Sequence, residues 1–178
     1  MYTRKIITLI ALIFIGPSVL KAQHSDIIDK LRKELFYSEF DLEKSMAFYD
    51  KIVDTKLRTP LMLAYQGAAK ALIAKYSWNP VTKINALNNL QKLMAEAVRM
   101  DTNNLEIRFL RFYIETNIPQ YIGYKKSTEK DWDILIKNVA IVKDLNIEKD
   151  ISDYILSFMR QTIIDKESKT LKAGIVND

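Results

Sequence analysis

The chain contains no cysteine, which removes disulfide staples, thiolate metal sites, cysteine nucleophiles and the cysteine that carries a bacterial lipoprotein's anchor. Histidine is nearly absent as well. With His24 as the single example, a Ser-His-Asp arrangement, a buried histidine base or a histidine metal site has no material. Glycine and proline number four each, and no alternating apolar run lies between glycine-rich turns, so little in the sequence favours a sheet. The glycine patterns that cradle phosphates or dinucleotides, and the nucleophile elbow of hydrolases, do not occur. From these absences we expect no catalytic residue, no cofactor and no metal.

Charge of one sign is also scarcer than the overall +5 suggests. Three of the 27 basic residues, Arg4, Lys5 and Lys21, flank the uncharged run Ile6 to Ile15, which is followed by Gly16, Pro17 and the small residue Ala22. A cationic start, a short apolar helix, a breaker and a small residue have the order of a secretory signal peptide. Ten residues rise only about 15 Å as a helix, half of a bilayer core of about 30 Å. The expectation is a signal peptide over residues 1–22, cut after Ala22, and a periplasmic or secreted product with no integral membrane segment. Setting those three bases aside leaves about two more bases than the 22 acids, too few for a nucleic-acid surface. The remaining roughly 156 residues are enough for one core without staples, so residues 23–170 are expected to form one domain and 171–178 a frayed tail.

What is present is helical periodicity. Ile27, Ile28, Leu31 and Leu35 recur at spacings of three and four, predicting a first helix from about Asp26 to Tyr37. Ser38 and Asp41 suggest a capping box for a second helix whose stripe is Leu42, Met46, Tyr49, Ile52 and Val53. Thr59-Pro60 and Asn79-Pro80 each set a capping side chain before a proline that needs no N–H. They predict a third helix from Pro60 to about Tyr76 and a fourth carrying Val81, Ile84, Leu87, Leu90, Met94, Ala97 and Val98. "DTNN" at 101–104 separates the fourth from a fifth over Leu105 to Asn117. A sixth is expected over Glu129 to Lys143 behind Thr128. A seventh should run from Ile147 to Asp165 with Ile151, Tyr154, Ile155, Phe158, Met159 and Ile163 in one stripe. Short connections make the expectation an all-α chain of antiparallel hairpins closed by the last helix.

The segment "MAEAVRMDTNNLEIR" at 94–108, with small Ala97, an acidic turn and Glu106 in the next first turn, resembles the junction between tetratricopeptide repeats. "YQGAAKA" at 65–71 resembles the first helix of such a repeat, where glycine or alanine admits the partner helix. More loosely, the chain resembles small exported bacterial proteins of unassigned function. The resemblance implies a short solenoid and an interaction or scaffold role, with a peptide or protein partner in the cell envelope and no nucleic acid. The alternative is a carboxylate-dependent helical enzyme acting on a glycan or small molecule. Asp50 with Asp54, or Asp131 with Asp133, are possible acid pairs, although helical acids are mostly solvated.

The fifth helix supplies the candidate site. Its apolar residues cover about two-thirds of the circumference, leaving Arg108, Arg111 and Glu115 in a narrow wedge. Two readings are open. Arg111 pairs with Glu115 one turn away and Arg108 with a nearby acid, or the wedge lines a concave groove whose arginines hold a carboxylate. The apolar connection "IPQYIGY" at 118–124 ends that helix at Pro119. It adds Tyr121 and Tyr124 to the candidate partner-binding residues, and is otherwise expected to fold back over the core end.

Overall fold

The computed structural model describes residues 27–138 and 149–175, and among them every regular element is helical. The expected signal peptide, its cut after Ala22 and the contribution of Ile147 lie outside the described residues. Residues 27–38 form α1, followed by α2 (Leu42–Val53), α3 (Pro60–Tyr76), α4 (Pro80–Met100), α5 (Leu105–Asn117), α6 (Thr128–Lys137) and α7 (Lys149–Ile175), with one 3-10 turn at Gln120–Ile122. No described helix is long and apolar enough to cross a membrane.

Local caps set the boundaries. Thr59 Oγ1 accepts the Met62 N–H at 3.2 Å, and Asn79 Oδ1 accepts those of Val81 and Thr82. Asn104, the last residue of "DTNN", accepts the Ile107 N–H at 3.1 Å. Gly123 takes φ 71° at the end of the 3-10 turn, a conformation that costs glycine least.

Expectations change on four helices. The α2 cap is Asp41, which accepts the Lys44 N–H, while Ser38 closes α1 with its hydroxyl on Glu34 O and Lys44 O. Ser45 in turn donates to Ser38 O. That clasp turns Ser45, Phe48 and Ile52 inward, and leaves Leu42 and Met46 exposed. On α4, Val81 and Ile84 project from the first turns into solvent, and burial begins at Ala86. The sixth helix starts at Thr128 behind Ser127 and ends at Lys137, earlier than Lys143, whereas the last continues past Asp165 to Ile175.

Helix α3 is apolar around most of its circumference, as a helix covered on several sides must be, and it packs against α2, α4 and α5. At Gly67 a Cβ would stand 3.2 Å from Met94 Cγ and Cε, so glycine sets the close approach of α3 to α4. Glu34 bonded to Lys51 and Ser38 to Ser45 make α1 and α2 antiparallel. Three apolar clusters follow one another: α1 to α3 around Phe48 and Tyr65, α3 to α5 around Leu63, Leu90 and Ile107, and α5 to α7 around Phe112, Leu135 and Met159. Leu35, Leu61 and Leu110 touch both of the first two. Helix α7 closes the far side, reaching α1 through the Phe36–Tyr154 ring pair and α5 through Phe158 against Phe109 and Tyr113.

Candidate functional site

The expected wedge of α5 is where sequence and structure part most clearly. Arg108, Arg111 and Glu115 are 3%, 7% and 2% exposed, because α6 lies along that face. Asp131, read from sequence as a solvated acid, is fully buried in the first turn of α6 and answers both arginines. Arg111 reaches it as a fork, Nε to Oδ2 at 2.6 Å and Nη2 to Oδ1 at 2.7 Å, and Arg108 Nη1 adds a bond to Oδ1 at 2.8 Å. Arg108 spends Nε and Nη2 on Thr102 O, just before α5 begins.

Glu115 is bonded to neither arginine. It accepts the N–H of Ser127, the residue that precedes α6, at 2.5 Å, and the Tyr124 hydroxyl at 3.5 Å. Two guanidiniums and two carboxylates therefore balance at the α5–α6 contact. Burial raises the Glu115 pKa, opposed by the Ser127 N–H and the Arg111 charge. A raised carboxyl binds its proton more tightly folded than unfolded, so stability contributed at low pH is lost as pH climbs from the ordinary value of about 4.5. Glu115→Gln, which keeps an acceptor for Ser127, should flatten that part of the profile. Urea unfolding from pH 4 to 7 checks this; parallel curves for the two proteins would contradict it.

A second arrangement was not legible from periodicity. A cavity of about 470 Å³ lies between α1, α3, α5 and α7, with Lys83 and Leu87 of α4 at its edge. Apolar side chains form most of its wall, among them Leu35, Leu72, Leu110 and Ile114. Two polar groupings interrupt them. At one end Arg32 grips Glu106 through Nε (2.9 Å) and Nη2 (2.7 Å), and Tyr65 donates to Glu106 Oε1 at 2.6 Å. The bond to Glu106 raises the Arg32 pKa further, while burial and Glu106 push that of Tyr65 up. At the other end Tyr113 donates to Glu39 and meets the Tyr154 hydroxyl at 2.6 Å, with burial first and then Glu39 raising the Tyr113 pKa. Lys75 Nζ and the Tyr76 hydroxyl both bond Glu39 O.

Of the sequence candidates, Tyr121 alone lines this cavity, and it is 89% exposed. Tyr124 is turned into the Glu115 cluster. Glu39 and Glu106 are the acids in the cavity wall, whereas Asp50, Asp54 and Asp133 are exposed. No group of three histidine, cysteine, aspartate or glutamate side chains among the described residues is placed to hold a metal. The chain matches no protein-family model, no curated protein and no solved structure with which it was compared.

Proposed function

We propose that the chain is an exported binding module of tetratricopeptide-like helical hairpins, acting without turnover on a peptide or protein partner in the cell envelope. The observation that carries this reading is a set of large apolar side chains left exposed where α1, α3 and α5 end. Tyr121, which lines the cavity, is 89% exposed, and Phe40 is 66% exposed with the Lys75 ammonium 6.0 Å from its ring centre. Trp78 and Val81, at the turn from α3 to α4, are 92% and 66% exposed. Large aromatics left in water mark interaction surfaces, where they supply much of the binding energy. Helices α1, α3 and α5, which supply much of the cavity wall, are also what a stack of helical hairpins would present on its inner face.

The test is capture from the cell-envelope fraction, comparing the wild-type chain with Tyr121→Ala/Trp78→Ala. Loss of a captured protein at unchanged stability is the expected result, because exposed substitutions away from special features stay within about 0.5 kcal/mol. Equal capture by both chains would remove these aromatics from the reading. The alternative, a carboxylate-dependent enzyme, draws on Glu39 and Glu106 sharing one cavity. Both carboxylates accept tyrosine hydroxyls, and Glu106 holds an arginine besides, which suits a structural role better than proton transfer to a substrate.

A further inference from the structure

The cavity itself is a different object from those exposed aromatics. It has about 470 Å³, within the range of roughly 300 to 1,000 Å³ seen in small-molecule sites. Its wall says what would not fit. Every buried side-chain nitrogen and oxygen among the described residues already has a partner, and Arg32, Tyr65 and Glu106 are spent on one another. A peptide backbone drawn inside would bring one N–H and one C=O per residue, with few partners to meet them. A hydrocarbon chain brings none.

The mouth says what the occupant would carry at its end. Charged residues in the wall are Arg32, Lys75 and Lys83 against Glu39 and Glu106, an excess of one positive charge. Arg32 is matched by Glu106. Lys75 lies 4.0 Å from Glu39 Oε1 and has donors to spare after its bond to Glu39 O. Lys83 is half-buried, and no described side chain pairs with it.

We propose that the cavity is a small-molecule site for a single-chain anionic amphiphile of the fatty-acid class, with its hydrocarbon chain against Leu72, Leu110 and Ile114 and its head at Lys75 and Lys83. This goes beyond the protein-partner reading and does not depend on it. The two share Tyr121, which lines the cavity and is 89% exposed.

The test is titration of the folded chain with hexadecanoate below its micelle-forming concentration, read by native mass spectrometry and calorimetry. A one-to-one complex is expected, with hexadecanol, which lacks the charge, held less tightly. Lys75→Gln/Lys83→Gln should weaken hexadecanoate about tenfold and leave hexadecanol unchanged, the scale of one charge-assisted hydrogen bond. Ala71→Phe, at a half-buried position in the wall, should abolish both complexes with helicity retained; if that variant does not fold, the lysine pair still decides. A single-chain phosphatidylglycerol in parallel identifies the head: tighter retention assigns a phosphate, weaker retention a carboxylate, and either supports the site. Absence of a complex with both anions, or an unchanged hexadecanoate affinity in the lysine variant, overturns the proposal. Capture through Tyr121 and Trp78 is read separately, so failure of one reading is not mistaken for failure of the other.

Discussion

Asp131→Ala is expected to cost about 3 to 5 kcal/mol of stability, the range for removing one partner from a buried ion pair, and to loosen α6 from α5. The carboxylate is fully buried and its two oxygens receive three guanidinium bonds from Arg108 and Arg111. With it gone, both arginines remain in a contact only a few per cent exposed, and Thr102 O can answer only one of them. Asp131→Asn should lie close to Asp131→Ala, because the amide keeps one acceptor oxygen, turns donors toward donors and leaves the charge unmatched. A triple variant with Arg108→Met, Arg111→Leu and Asp131→Leu is the informative control. Replacing a whole buried ionic group by apolar residues of similar volume is often neutral or stabilising, so it should recover much of the loss. Urea unfolding followed by circular dichroism measures all three, and wild-type stability for Asp131→Ala would show that the arginines find other partners.

That cluster also marks where the sequence stopped being informative. Helix α5 was legible to the residue, from Leu105 to Asn117, because "DTNN" provides a local cap and Pro119 follows closely. The same holds for α3, set by Thr59-Pro60 at one end and by the turn before Asn79-Pro80 at the other. Periodicity then separated polar from apolar faces on α5 correctly. It carries no information on whether a polar face meets water or another helix, and here α6 covers it. The signal that was available is chemical: two arginines on a helix with so narrow a polar wedge need an acid, and the first two turns of the next helix offer Glu129, Asp131 and Asp133. Choosing Asp131 among them requires the α5–α6 register, which rests on Glu115 receiving the Ser127 N–H.

Two other departures have equally local causes. On α2 the inward position of Ser45 was invisible because a serine counts as polar in any pattern, although its hydroxyl is satisfied by Ser38 O. On α7 the segment "KESKTLKAGI" has no apolar stripe, but lysine, glutamate, leucine and alanine are good helix formers, and the helix continues through them. The cavity was out of reach for a different reason. It is a gap shared by α1, α3, α5 and α7, and each wall residue alone resembles ordinary core.

Phe112→Ala should cost about 3 to 5 kcal/mol, as for a core aromatic cut to a methyl group, and Phe109→Ala clearly less. The two rings sit on one helix, and both meet Phe158 at 6.1 Å, yet their surroundings differ. Phe112 is 2% exposed and lies 5.4 Å from the Trp132 ring, where α5, α6 and α7 meet. Removing it leaves a closed void among rings that cannot collapse onto one another without shifting two helices. Phe109 is half-buried and borders the existing cavity, so its loss enlarges a space already open to solvent. Trp132 also makes the experiment specific, since the other tryptophan, Trp78, is 92% exposed and reports little about packing. Phe112→Ala should therefore shift the emission of Trp132 as α7 loosens, and Phe109→Ala should not. Equal costs for the two variants would mean that Phe109 is packed as tightly as Phe112, and the cavity beside it would then have to be filled.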